Sequence, residues 1–446
     1  MAKHAVTIKD PPAGFKEKLK WLGPGFLWMV SAAGSGELLF TPRVGALYGY
    51  ALLWALIAAV LLKWFINREI GRYTVCTGKT IIDGFAELPG PKNWALYLIL
   101  VPQLLVAVST IAGLAGSSAT ALVLVLPGDI RLWTILAILC STALVLWGKF
   151  KGVEKAATIL AITLGIAAII AAVTVFPEGT ALMAGLIPSV PSNISYDEVF
   201  PWLGFMLSGA AGLIWYSYWI QAKGYGLTAS ENSKNARLDA SQIQKLKKWI
   251  RQMTADTTVA VGGTLIITLS FLILGTELLK PQGLVPEENK VAEVLGGMLG
   301  QLWGPIGFWF MILAVFIGFW DTVLSDQDGF GRMFTGGTRL LLKNFKLKKK
   351  WLDENFLNRI FVIGLVTVAP ILLYLWMGEP VSLLKIAGAI EAAHIPVLVV
   401  LILYLNHKRL SPELKPSTFT FLFTAFAGLF FAFFAIVYVI QIAGPA

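Results

Sequence analysis

The sequence is poor in charge, histidine and cysteine. Charged residues make up 14% of 446, with three histidines and two cysteines. A soluble chain of this length needs a charged, polar skin, and this one has too few charges to build it. Cys76 and Cys140 supply neither a disulfide framework nor zinc-finger spacing. There is no His-rich metal cluster, no Gly-x-Ser-x-Gly and no cofactor fingerprint, which argues against a membrane enzyme and implies no cofactor. There is no P-loop, which argues against ATP-driven pumping. Met1 to Lys20 lacks the apolar core and small-residue cleavage site of a signal peptide, so the first helix is expected to be its own uncleaved insertion signal.

What abounds is apolar surface: 57% of residues, with a mean hydropathy of +0.72. It falls in runs near 24–46, 50–71, 93–122, 131–148, 154–176, 199–222, 255–275, 302–326, 357–377, 383–405 and 417–442. A helix needs about 20 such residues to cross a bilayer. The expectation is an all-α, multi-pass protein of the plasma membrane with about eleven spans. It forms one transmembrane domain over 1–446: a segment 1–20, five-helix sets 21–176 and 199–405, and a last helix 417–442.

The net charge of +10 would suggest nucleic acid in a soluble protein. Here the basic residues sit in alternate connections, as the positive-inside rule expects. The N-terminus carries Lys3, Lys9, Lys16, Lys18 and Lys20; later basic groups include Arg68 and Arg72, Lys149 and Lys151, Lys245 to Arg251, Lys343 to Lys350, and Lys408 with Arg409. The intervening connections hold Glu178, Asp197 and Glu198, then Glu277, Glu287 and Glu288. This places the N-terminus in the cytoplasm and the C-terminus outside. The stretch 231–252 reads as a short amphipathic helix on the cytoplasmic surface.

Two spans are interrupted by small residues. The first carries Gly34-Ser35-Gly36-Glu37 in mid-membrane, the sixth Ser208-Gly209-Ala210-Ala211-Gly212. Glycine is a weak helix former, and an unwound backbone survives in lipid only where protein or a water-filled cavity satisfies it. Both breaks open a five-helix set, and interruptions at corresponding places in two halves point to a transporter's midplane site. Glycines alone serve equally well as packing faces. Glu37 is different, because an ionisable side chain at mid-span costs about 3 kcal/mol and is a functional candidate by default. It suits either a cation ligand or a proton carrier.

At these positions the chain resembles the Nramp superfamily of metal-ion transporters. Gly23-Pro24-Gly25, Gly45, Gly49-Tyr50, Leu52-Leu53-Trp54, Gly152-Val153-Glu154, Asp256-Thr257, Asn358-Arg359 and Ile395-Pro396 carry the resemblance. It implies the LeuT-like fold of eleven helices, a 5+5 inverted repeat with broken helices one and six, and alternating access. The departures fall in the site. Gly34-Ser35-Gly36-Glu37 stands where the family has Asp-Pro-Gly-Asn, Leu213 and Trp215 where it has methionine and histidine, and Gly388 where it has glutamine. Ser109-Thr110-Ile111-Ala112-Gly113 lacks the family's helix-three acids, while the Arg359 position is retained.

The remaining polar groups form a candidate constellation. Gly34, Ser35, Glu37, Ala210 and Leu213 are the expected substrate-binding positions, with Ser31 nearby and Glu37 as metal ligand. Asp321, Thr322, Ser325, Glu391, His394 and Arg359 are expected to serve ion coupling or a proton relay. Asp326 and Asp328 read as solvated residues near a helix end, and Trp215-Tyr216-Ser217-Tyr218-Trp219 with Trp320 as an interface belt. Carboxylates are hard ligands, suited to Mg²⁺, Ca²⁺, Mn²⁺ or Na⁺, and no soft sulfur remains. The expected function is a secondary active transporter of a cation, foremost a hard divalent metal ion. The alternative is a small organic solute coupled to H⁺ or Na⁺. A scaffold that has lost its site is disfavoured, because unused intramembrane charges are costly.

Overall fold

Turn-forming glycines and capping aspartates set many of the helix ends. The computed structural model describes residues 8–148, 151–229, 238–343 and 353–443, and every regular element among the described residues is helical. Helix α1 runs through Pro24–Ala32, Ala33–Phe40 and Thr41–Tyr48. Helix α2 is Leu53–Thr77, closed by Gly78 at φ +71°, and α3 is Trp94–Leu122. Helix α4, Ile130–Trp147, starts where Asp129 accepts from Leu132 N at 2.7 Å, and α5 is Lys151–Thr174. Helix α6 has two pieces, α6a Tyr196–Phe205 and α6b Ala210–Lys223. Helix α7, Ala240–Leu274, opens on a reciprocal cap between Asp239 and Gln242. Helix α8, Val291–Leu342, is two helices joined at Gly304, which takes φ +61° before Pro305. Helix α9 comprises Glu354–Ile360, Phe361–Val368 and Ala369–Met377; α10 is Pro380–Arg409 and α11 Thr418–Ala443.

Among the described residues, eight helices are long and apolar enough to cross a membrane on those grounds alone. Helix α5, bent by 117° from the short helix Gly179–Gly185, makes a ninth. Helix α1 is cut by its change of winding and α2 carries Lys63, Arg68 and Glu69; counting both gives the eleven spans expected. Leu422, Leu429, Phe433 and Ile436 on α11 stay exposed, as on a surface solvated by lipid.

Two boundaries depart from the sequence reading. Residues 240–252, expected as a separate surface helix, are the first turns of α7, because the Asp239–Gln242 cap starts the helix there; 230–237 lie outside the described residues. The eighth span, expected to end near 326, continues to Leu342, so Asp326 sits within a long helix. Of the basic stretch 343–350, only Lys343 is described.

Close packing places α6a against α10. A Cβ on Gly388 would lie 2.7 Å from Pro201 O and 2.8 Å from the Phe205 ring, so the backbones approach as only glycine permits. The two interrupted helices also meet directly: a Cβ on Gly36 would lie 2.8 Å from Phe205 O.

Candidate functional site

The interruption of α1 is a change of winding. Ala33–Phe40 forms a π-helix between two α-helical pieces, so Gly34-Ser35-Gly36-Glu37 stays wound where the sequence suggested an open chain. Such π-segments within α-helices are frequent at functional sites. Thr41 Oγ1 donates to Gly36 O at 2.8 Å and accepts from Trp202 Nε1 at 3.0 Å, tying the segment to α6a. The α6 interruption is a true opening. Met206 ends α6a, Leu207 and Ser208 take φ of +62° and +157°, and Gly209 starts α6b. Two buried non-glycine residues at positive φ store strain, which persists only where the surroundings enforce it.

Glu37 reaches across to that opening. It is 2% exposed, and its Oε1 accepts from Leu207 N at 2.9 Å. With Asp321 and Thr322 of α8 it lines a cavity of about 50 Å³, otherwise walled by apolar residues of α1, α5, α7 and α8. A second cavity of about 30 Å³ lies between α1, α3, α6, α8 and α10. Its polar lining is Ser35, Thr110, Ser208, Thr322, Asp326 and Glu391; Phe205, Trp215 and Phe330 supply its aromatic wall. Thr322 borders both cavities. Among the described residues, no three His, Cys, Asp or Glu side chains are close enough to hold a metal ion together. An ion in either cavity would therefore draw on one or two carboxylates, with hydroxyls and carbonyls completing its shell.

Glu391 is held from two sides. Ala211 N, at the start of α6b, donates to it at 3.2 and 3.3 Å, where the helix dipole favours negative charge. Gln103 Nε2 of α3 donates to Glu391 Oε2 at 3.1 Å and meets His394 Nδ1 at 3.1 Å. His394 thus stands behind Glu391, outside the lining of both cavities.

The other expected residues divide. Ser35 lies with Asp326 and Glu391, while Asp321 lies with Glu37; Gly34 packs on Thr322. Ala210 and Leu213 are buried in α6b without lining either cavity. Ser325 is half-buried off the cavities, and Arg359 is exposed at the start of α9. The side chain of Ser31 is outside the described residues. Asp326, expected to be solvated, is 5% exposed and faces the same cavity as Glu391, because α8 carries it inward; Asp328 is half-buried and paired with Arg332 at 2.8 Å. Trp215, expected in an interface belt, lines the cavity against Phe330, whereas Trp320 donates to Ala137 O at 3.0 Å.

Sequence reasoning passed over Lys63 of α2. It is wholly buried, and its Nζ, with three N–H groups to share among them, lies within hydrogen-bond distance of the carbonyls of Leu203, Gly204, Met206 and Ser208, at 2.9, 2.7, 2.7 and 2.7 Å. It interacts electrostatically with both Glu37 and Glu391. The signal was present as a lone lysine amid apolar residues in mid-span.

Ionic contacts close the face opposite the N-terminal segment. Arg43 of α1 grips Glu198 of α6a through Nε at 2.6 Å and Nη2 at 2.7 Å, and donates to Pro286 O at 2.6 Å. Lys385 of α10 bonds the same Glu198 at 2.6 Å and Asp197 at 3.0 Å. On the N-terminal face, Asp256 of α7 accepts from Gly23 N at 2.8 Å and Gly25 N at 2.5 Å, capping α1 from outside its own chain segment. Arg43→Gln is expected to open the first of these closures. A membrane-impermeant thiol reagent added on that face should then label Ser35→Cys, in a background without Cys76 and Cys140, at least tenfold faster. An unchanged rate would show that Arg43 does not close the path.

Comparisons with known proteins agree with this architecture. The family model described as natural resistance-associated macrophage protein-like, Nramp, matches residues 25–441. A divalent metal cation transporter of Brucella suis is 24% identical over 336 residues, covering 73% of this chain and 69% of that one. A manganese transporter of Eremococcus coleocola, solved with an aromatic bis-isothiourea compound, superposes with a TM-score of 0.69 at 15% identity, covering 99% of this chain and 91% of the other. MhsT, solved with L-phenylalanine, superposes at 0.59 with 16% identity, covering 97% and 99%. At such identities the structural matches establish the fold alone, which is the LeuT-like one.

Proposed function

The chain belongs to the Nramp family, and from that premise we propose that it is a secondary active transporter of a divalent metal ion of hard character. The observation that carries this reading is the cavity shared by Asp326 and Glu391 between the two interrupted helices. Its side-chain groups able to ligate a cation are all oxygen, from two carboxylates and from Ser35, Thr110, Ser208 and Thr322, with no sulfur or imidazole; the indole N–H of Trp215 is a hydrogen-bond donor only. That donor set suits Mg²⁺, Mn²⁺ or Ca²⁺ better than a thiophilic ion. Its size of about 30 Å³ fits an ion better than an organic solute.

In this reading Asp326 and Glu391 hold the substrate ion, with Ser35, Ser208 and Thr322 as neutral donors. Glu37 and Asp321, one step away past Thr322, carry the coupled ion or proton. The two five-helix sets, 21–176 and 199–405, move against each other about this centre. The basic face bearing the N-terminal segment is cytoplasmic, by the positive-inside rule. Alternating access then consists of releasing the Arg43–Glu198–Lys385 contacts and the Asp256 cap in turn.

The test is flux into liposomes containing purified protein. Uptake is expected for Mn²⁺ and for at least one of Mg²⁺ and Ca²⁺. Cd²⁺ is expected at least tenfold slower, for want of a sulfur ligand. Protein that carries no divalent ion would end the proposal; Cd²⁺ as the preferred ion would end its hard-ion part.

A further inference from the structure

Helix α6a ends inside the protein, and a helix end leaves carbonyls without partners. Leu203 and Gly204 lie in its last turn, Met206 and Ser208 in the opened segment beyond. All four carbonyls converge on one atom, Lys63 Nζ, at 2.7–2.9 Å. The ring of Phe431 from α11 lies 5.4 Å from the same nitrogen and adds an aromatic face. Among the described residues no carboxylate bonds this ammonium directly; the acids Glu37 and Glu391 act on it through space. The arrangement is a cation cage built of backbone oxygen, at the negative end of a helix dipole. Its spacing exceeds the roughly 2.3–2.6 Å of a Ca²⁺ shell and fits an ammonium-sized monovalent ion.

We propose that Lys63 is a built-in monovalent cation, occupying a four-carbonyl cage that holds the α6 opening in shape. The opening is the element that presents Leu207 N to Glu37 and places Ser208 in the cavity. A free ion in this cage would leave with each cycle or need a gradient to refill it. A tethered one does neither, and it balances part of the charge of Glu37 and Glu391 in every state. Two consequences follow. The cage, emptied of its side chain, binds ammonium-like ions. The native cage, already filled, takes up no ammonium or K⁺, whatever ion Glu37 and Asp321 couple in the transport reading above.

The first consequence is tested without transport. Lys63→Ala removes the tether and leaves space for methylammonium; Lys63→Met removes the charge and keeps most of the stem volume. In detergent, Lys63→Ala is expected to melt several degrees below the native protein. At least half of that loss should return with ammonium, methylammonium or K⁺ at millimolar levels. The native protein and Lys63→Met should not respond. A folded Lys63→Ala protein indifferent to all three ions would overturn the proposal, as would equal stabilisation of the native protein. If Lys63→Ala does not fold in their absence, the same protein made and purified with ammonium, methylammonium or K⁺ decides: folded protein recovered with any of them supports the cage, and protein that stays unfolded with all three overturns it. Native protein that carries no Mn²⁺ in any buffer refutes the transport reading alone, and the melting responses of Lys63→Ala and Lys63→Met still judge the cage.

Discussion

Glu391→Gln is expected to abolish divalent-metal uptake, by at least 100-fold, while leaving the protein folded. The second half follows from the hydrogen bonds. Glutamine has nearly the shape of glutamate and keeps one oxygen to accept from Ala211 N, now 3.2–3.3 Å away. Its new amide would face the donor Gln103 Nε2, at present 3.1 Å from the carboxylate. Gln103 Oε1, however, is buried without a partner. Turning the Gln103 amide over presents that oxygen to the new donor; the turn costs the contact with His394 and leaves the amide nitrogen where the oxygen now lacks a partner, a local cost that the rest of the fold can absorb. The first half follows from charge. A divalent ion between Asp326 and Glu391 loses one of two formal negative charges in a small enclosed site, where Coulomb attraction is strong. A 100-fold loss corresponds to about 2.7 kcal/mol, modest for a buried ionic ligand. Asp326→Asn should behave alike. Activity within threefold of native for both, with loss in Glu37→Gln, would move the ion into the neighbouring cavity.

The division between what was readable in the sequence and what was not has physical causes. Membrane class, spans and family were readable because hydropathy and loop composition are local properties. The α6 interruption was readable from its glycines, though the chain opens at Met206–Gly209, at the leading edge of the expected stretch. Winding was not readable: the glycines of α1 fit an open chain and a π-helix equally well, and tertiary contacts such as Gly36 against Phe205 O decide between them. Asp326 was misplaced because hydropathy falls near 326, while the helix itself continues to Leu342. A polar residue past the end of an apolar run reads as solvated unless the helix is known to continue. Lys63 and Gln103 escaped because their roles depend on partners 140 to 291 residues away in sequence. Glu37 was readable as important, but its neighbour Asp321 and its distance from the Asp326–Glu391 cavity were set by packing.

Restoring the family's residue at position 388 should damage the protein. Gly388→Gln is expected to lower the melting temperature by several degrees and to reduce the folded yield severalfold, without adding metal affinity. The position faces α6a, and even a Cβ there meets Pro201 O at 2.7 Å and the Phe205 ring at 2.8 Å. Pro201 O belongs to the backbone, so no side-chain rotation relieves the contact. The reciprocal approach is as tight, since a Cβ on Gly204 would collide with Gly388 O. Overpacking of this kind costs about 1–3 kcal/mol and sometimes more, and a glutamine adds a polar group with no partner in the seam. The seam also fixes the end of α6a whose carbonyls receive Lys63, so widening it should loosen the opened segment and the Leu207 N bond to Glu37. Gly388→Ala, one heavy atom instead of five, should show the same effect more weakly. A Gly388→Gln protein as stable as the native one, binding Mn²⁺ more tightly, would mean that α10 can withdraw from α6a and offer its side chain to the site. In the packing observed, α10 presents Glu391 to the cavity it shares with Asp326, and position 388 lies sealed against α6a.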